Sequence, residues 1–306
     1  MKVIFIGGAS RSGTTLLDRI LGQIDGFFSL GEMYYIWERS FIENQLCGCG
    51  KPFKECEFWN TVIQEAFGGF HKVDVHEILR LRRSVARIRH IPYLVFSKLQ
   101  SQEFNLRLKK YIEVLNCLYK TIAKISSCNV LIDSSKAPPH GFVLSEIPDL
   151  ELYIIHLVRD SRATVYSWQR KKRRPEIYWK EAYMPRLGLL KATQEWMLSN
   201  WLVSLLKKRG LKYKIVNYET LASNPMNTIV KVLEWMGMNS ANLDFFDDEH
   251  TVRFGIDHTI SGNPIRFKQG KLEIYPDREW SEKMPLSKKW LIFTLTYPLL
   301  RLYRKA

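Results

Sequence analysis

The apolar run Val3–Ile6 leads directly into Gly8-Ala9-Ser10-Arg11-Ser12-Gly13-Thr14-Thr15, and the amphipathic stretch Thr14–Leu21 follows without a gap. A buried strand, a glycine-bearing turn and a helix in immediate succession constrain the fold more than any other feature of the chain. The turn gathers backbone N–H groups at a helix N-terminus, which is a site for an anion. Set against the nucleotide-triphosphatase pattern GxxxxGK[ST], Thr14 takes the lysine position, Arg11 brings a guanidinium into the loop and Thr15 keeps the hydroxyl. Ordinary ATP hydrolysis, and a kinase-like phosphotransfer, lose support for want of the lysine and of an acidic magnesium motif. A strand-to-helix turn that binds nothing is the bland alternative, and six polar or glycine residues beside a buried strand argue against it.

Three more short apolar runs, Val130–Ile132, Leu152–Val158 and Tyr213–Val216, have the character of strands covered on both faces. Apolar residues at intervals of three and four predict helices over Thr14–Leu21, Gln102–Ile125, Leu189–Lys208 and Met226–Met236. The expected fold is α/β: a three-layer domain with a central parallel sheet and a P-loop-like anion loop, occupying 1–306 as a single domain. Residues 33–125 are too many for one crossover and are expected to form a helical and loop insertion. Residues 244–306 are expected to supply a cleft-covering loop, in GIDHTISGNPIRFKQG, and a C-terminal helix.

With 46 Lys and Arg against 31 Asp and Glu, the formal charge of +15 admits a soluble polyanion, a nucleic acid or an anionic membrane surface as partner. Arg80, Arg82, Arg83, Arg87 and Arg89, and the run Lys171 to Arg174, are read as solvated faces or an entrance loop, since no nucleic-acid fold motif accompanies them. Trp290–Leu300 is too short to cross a bilayer and contains Pro298, so a packed helix is expected. Its flanks Lys288, Lys289, Arg301, Arg304 and Lys305 make peripheral membrane contact the second reading. No export signal is evident, and five unevenly spaced cysteines suit a reducing compartment, so a cytoplasmic location is expected. Cys47, Cys49 and Cys56 lie close enough for a tetrahedral zinc, but no fourth ligand stands nearby. That segment is therefore read as a structural turn packing Phe58 and Trp59, with no metal.

A second motif specifies the anion. In LVRDSRATVYSW, Arg159 ends a strand and Ser167 lies eight residues later on the following helix, where a guanidinium fork and a hydroxyl can satisfy several phosphate oxygens. Together with Ser10–Thr15, this resembles the sulfotransferases that use 3′-phosphoadenosine 5′-phosphosulfate (PAPS). The resemblance implies that Ser10, Arg11, Ser12, Gly13, Thr14 and Thr15 hold the 5′-phosphosulfate, and that Arg159 and Ser167 hold the 3′-phosphate. Gly262-Asn263-Pro264-Ile265-Arg266-Phe267 resembles a donor-covering loop of one broad branch, which assigns Gly262, Asn263 and Arg266 to the donor as well. The chain departs from the small-molecule cytosolic branch, which carries a lysine where Arg11 stands. It is closer to the carbohydrate, tyrosyl-protein and bacterial branches, so no catalytic histidine is carried over.

Sulfuryl transfer needs an acceptor in line with sulfur, removal of its proton, and positive charge at the bridging and terminal oxygens, with no metal or redox cofactor. Glu32 in SLGEMYYIW resembles the family's Gly-Glu general base, effective where geometry favours it or the pocket raises its basicity. Lys136 in LIDSSKAPP and Arg11 are the candidate charge stabilisers, with Asp133 in support. Tyr34, Tyr35, Trp37, His140, Trp168 and Tyr178 are candidate acceptor walls, and His258 is a candidate ligand contact. The expected acceptor is a small molecule offering a hydroxyl or amino group, such as a bacterial natural product. The alternatives are a carbohydrate or glycolipid, a tyrosyl protein, or a non-catalytic basic module that binds a nucleotide or nucleic acid without transfer.

Overall fold

The computed structural model describes residues 1–238 and 241–304; Lys305 therefore lies outside the described residues. Five strands, β1 (Lys2–Gly7), β2 (Phe27–Gly31), β3 (Val130–Lys136), β4 (Glu151–Val158) and β5 (Lys212–Asn217), form one sheet. They run parallel in the order β2-β3-β1-β4-β5. Alternation along β1 explains the uninterrupted apolar runs: Val3 and Phe5 enter the core on one face, Ile4 and Ile6 that on the other. Both faces are covered, as a three-layer α/β domain requires.

The covering helices include α1 (Thr14–Leu21), α2 (Glu57–Phe67), α3 (Val75–Val85), α4 (Gln102–Ser126), α5 (Pro138–Leu144), α6 (Ser161–Gln169), α7 (Leu189–Ser204), α8 (Pro225–Met236) and α9 (Leu286–Arg304). The chain leaves α7 through a 3-10 turn over Leu205–Arg209, so the expected helix to Lys208 tightens before its end. β2 is a strand that hydrophobic runs do not single out: FFSLG is short and ends on a glycine, and its pairing with β3 makes it a strand. Asp18 of α1 ties it in, accepting from Ser29 Oγ at 2.5 Å and Ser134 Oγ at 2.7 Å, while burial pushes that carboxyl up to about 7. A second pair, β6 (Thr251–Phe254) and β7 (Gly270–Glu273), is antiparallel. It brackets a segment whose Ile260 pairs with Gly31 at the end of β2.

On α9, Ile292, Thr296, Leu300 and Tyr303 are buried while Leu286, Trp290, Leu291, Leu295 and Tyr297 are exposed. The helix packs on one face only. Among the described residues no helix is long and apolar enough to cross a membrane.

β1 is followed by a return toward β2 at one edge of the sheet, and β4 by β5 at the other. Loops leaving β1 and β4 therefore diverge, opening a crevice at the carboxyl ends of these neighbouring strands. In open parallel sheets this is where ligands bind.

Candidate functional site

The crevice is a cavity of about 660 Å³ to which every parallel strand contributes at its carboxyl end. β1 gives the Gly8–Leu16 loop, β2 gives Glu32, β3 Lys136, β4 Arg159 and β5 Tyr218. The loop after β1 closes tightly at Gly13, whose φ is 93° and whose absent Cβ would lie 2.5 Å from the Tyr218 ring. Only glycine meets both demands. Arg11 (φ 72°) and Lys136 (φ 62°) also adopt the left-handed conformation, at a cost of about 1–3 kcal/mol each. Both reach the cavity, so the strain falls where side chains are being aimed.

Arg11 lies over the Trp168 ring, 4.9 Å from its centroid, and donates to Met184 Sδ at 2.7 Å and the Pro185 carbonyl at 3.4 Å. Arg159 donates to the Arg11 carbonyl at 3.1 Å and to Asp277 at 3.2 Å, with its guanidinium over the Tyr218 ring. Its own carbonyl accepts from Trp196 Nε1 of α7 at 2.9 Å, which steadies the end of β4. The loop amide of Ser10 donates to Glu195, a carboxyl that burial pushes up. Asn263 N donates to Thr15 Oγ1 at 3.2 Å, so the late segment meets the first turn of α1.

At the other end, Lys136 donates to one oxygen of Glu32, and Arg39 donates to the other at 3.2 Å while resting on the Tyr35 ring. Burial acts to raise the Glu32 carboxyl, but Lys136 and Arg39 outweigh it and hold it below its ordinary value. The pocket thus lowers the basicity that the sequence reading allowed it to raise. Glu32 is ionised at neutral pH because two cations face it.

Ser10, Arg11, Gly13, Thr14, Thr15, Glu32, Tyr34, Tyr35, Lys136, Arg159, Ser167, Trp168, Gly262 and Asn263 all line this one cavity. Other candidates do not. Trp37 is fully buried against Phe41 and Phe67, because its helical turn faces the core. His140 is buried between Asp133 (2.9 Å) and Tyr119 (3.2 Å), which makes it a support for β3 rather than an acceptor wall. Arg266 donates to the Thr259 and Leu46 carbonyls, both at 2.6 Å, and is 1% exposed, so its guanidinium has no path to a donor. Tyr178 points to solvent, and His258 turns away to the three neighbouring cysteines. Ser12 is buried beneath the loop.

Arg39, Arg170, Lys172, Arg174, Glu195 and Asp277 line the cavity without having been singled out for it. Lys172 and Arg174 belong to the basic run read as an entrance loop, and that run does form one wall. Arg82, read with its helix as a solvated face, is buried and bonds Glu38 and the Tyr34 carbonyl. Arg39 carried a fainter signal, as a cation seven residues beyond Glu32 in an aromatic stretch.

The lining holds seven cationic side chains against four carboxylates. Among the described residues, Ser12 Oγ and Arg159 Nε are buried without a protein partner. Surplus positive charge, uncommitted buried donors and a glycine-tight loop fit a ligand with several separated anionic groups.

The model of the sulfotransferase family matches residues 3–242. Among solved structures, the sulfotransferase domain of the olefin synthase from Synechococcus PCC 7002 is similar over 98% of this chain and 94% of that domain, at 17% identity and a TM-score of 0.52. The sulfotransferase domain from the curacin biosynthetic pathway is similar over 96% of each chain, at 16% identity and a TM-score of 0.51. At such identity the likeness is one of fold. No curated protein matches the sequence significantly.

Proposed function

The chain belongs to the sulfotransferase family, and from that premise we propose that it transfers a sulfuryl group from PAPS to a hydroxyl or amino group of a small-molecule acceptor in the cytoplasm. One observation carries the reading: the Gly8–Leu16 loop, Arg159 with Ser167, Gly262 with Asn263, and the Glu32–Lys136 pair share a single cavity. PAPS supplies the sulfuryl group and is released as 3′-phosphoadenosine 5′-phosphate.

The loop amides, Arg11 and the Thr14 and Thr15 hydroxyls serve the 5′ side, and Arg159 with Ser167 serves the 3′-phosphate. Asp277 engages Arg159 through a single contact at 3.2 Å. A dianionic phosphate can displace it with more charge-assisted hydrogen bonds than it offers. Glu32 takes the acceptor proton. Lys136 and Arg39 keep its carboxylate ionised, and both cations have an anionic sulfuryl group as an alternative partner during transfer, which would free the carboxylate as a base. Tyr34, Tyr35 and Trp168, joined by Ile88, Pro138 and Pro139, offer the acceptor an apolar and aromatic wall. A natural product presenting its hydroxyl from a ring or an apolar body suits that wall.

The test is an assay with PAPS and a broad panel of small acceptors, reading sulfated product and 3′-phosphoadenosine 5′-phosphate together. The two are expected in equal amounts. Stoichiometric PAPS binding with neither product across the panel would reject the transfer reading in favour of a nucleotide-binding module.

A further inference from the structure

Cys47, Cys49, Cys56 and His258 bring four ligand atoms within 4.8 Å of one another. The sequence offered three thiols with no fourth ligand nearby, only a remote histidine or cysteine; the late segment supplies the histidine, 202 residues beyond Cys56. The spacings decide between chemistries. Cys49 Sγ and Cys56 Sγ are 3.7 Å apart, Cys47 Sγ and His258 Nδ1 3.8 Å, and Cys56 Sγ and His258 Nδ1 3.2 Å. A tetrahedral zinc, with bonds of about 2.3 Å to sulfur and about 2.0 Å to nitrogen, sets its ligands roughly 3.8 Å apart for two sulfurs and roughly 3.5 Å for sulfur and nitrogen. A disulfide would close the sulfurs to about 2.05 Å.

We propose that Cys47, Cys49, Cys56 and His258 Nδ1 bind one zinc ion in a closed four-ligand site.

The surroundings are built for it. The His258 ring stacks on Phe58, centroids 5.0 Å apart and planes at 17°, and the His258 carbonyl accepts from Trp59 Nε1 at 2.8 Å. These contacts hold the imidazole with Nδ1 toward the thiols. Phe58 and Trp59, expected to be packed by a cysteine-bearing turn, are the platform for the fourth ligand. The Cys47–Cys49 turn lies against the late segment so closely that Gly48 donates to the Thr259 carbonyl at 2.9 Å, and a Cβ at Gly48 would sit 2.0 Å from an Asp257 oxygen. Cys47 and Cys56 are fully buried, and none of the four residues lines the cavity. A Cys–His nucleophile pair needs substrate access, which Cys56 lacks.

The site joins two distant stretches that together shape the cavity wall. Leu46, beside the first ligand, accepts from Arg266; Ile260, two residues past the last, accepts from Glu32 N at 2.8 Å and donates to the Leu30 carbonyl. Two residues further on, Gly262 and Asn263 line the cavity. Zinc here is a clip that holds the late segment against the end of β2, and it takes no part in the reaction itself.

The test needs no sulfuryl transfer, so its failure is distinct from failure of the function proposed above. Protein purified without chelator is analysed for metal, then stripped and titrated with cobalt(II). One zinc per chain is expected, together with the intense visible bands and thiolate charge transfer of tetrahedral cobalt. Cys49→Ala removes the half-buried thiol and leaves three ligands, so the chain should fold and bind zinc more than about 100-fold more weakly, beyond what loss of a supporting contact brings. His258→Ala should likewise weaken the metal and shift the cobalt spectrum toward that of a three-thiolate site, whereas Cys117→Ser, at an exposed thiol elsewhere, should leave it unchanged. Wild-type protein with neither stoichiometric zinc nor a cobalt spectrum overturns the proposal. So does a Cys49–Cys56 disulfide in freshly purified reduced-lysate protein, or zinc held undiminished by both Cys49→Ala and His258→Ala.

Discussion

The loops leaving β1 and β4 meet the late segment Gly255–Phe267 at the cavity, and the arginines on the two sides are held in opposite ways. Arg11 and Arg159 are held by an aromatic face, a thioether, single carbonyls and one carboxylate. Arg19 and Arg266 are enclosed instead. Arg19 reaches into the late segment from α1 and meets Asp257 at 2.8 Å and the Ile265 and Gly255 carbonyls, and Arg266 within that segment meets two further carbonyls. A carboxylate or a sulfur can give way to a phosphate, but a buried backbone carbonyl cannot be abandoned without an unsatisfied polar group. An arginine within a family motif is therefore a ligand contact only where its neighbours leave its donors exchangeable.

The largest effect is expected on the cavity side: Glu32→Gln should lower kcat by about 10²–10⁴ with little change in PAPS affinity. Because its carboxyl is held below the ordinary range, the wild-type kcat/KM should show no acid limb from this group until the pH falls below about 4.5. A limb near neutrality would point to another base. Next, Arg266→Ala should cost about 3–5 kcal/mol in urea unfolding, through two stranded carbonyls and a void, while the folded fraction binds PAPS as before. Arg159→Ala should do the reverse, weakening PAPS by about 10–100-fold in calorimetric titration with a stability change under about 2 kcal/mol. If the two variants exchange phenotypes, the distinction between exchangeable and enclosed arginines is wrong. The smallest effect is expected for Asp277→Asn, which removes the carboxylate competing for Arg159 and should tighten PAPS binding a few-fold. Weaker binding in that variant would make Asp277 an orienting partner instead of a competitor.

Legibility followed the distance over which each feature is assembled. The β1 loop and the Arg159–Ser167 pair are each contained within one strand, its turn and one helix, so local periodicity and residue type were enough to place them on the cavity. Glu32 was legible as a residue after a glycine, yet its low basicity was not, because Lys136 and Arg39 reach it from different elements. Trp37 and His140 read as wall residues by their proximity to Glu32 and Lys136, but the turn of a helix rotated each into the core. β2 escaped notice because five residues show little alternation, and a neighbouring strand had to supply the hydrogen bonds. A remote histidine could complete the three cysteines, but nothing local singles out His258 among residues two hundred positions away.

The amino-acid sequence by itself determined a parallel α/β sheet, a glycine-bearing loop after β1 that departs from the ATPase pattern, an arginine at the end of β4, and a strong positive excess. These follow from local steric and hydrophobic patterning, which acts over a few residues and survives in one dimension. Tertiary structure decided which of the charges face the cavity, which are neutralised inside the fold, and that three thiols acquire an imidazole. Burial and long-range pairing set the free energy of a charged or ligating group, and neither exists until distant segments are brought into contact.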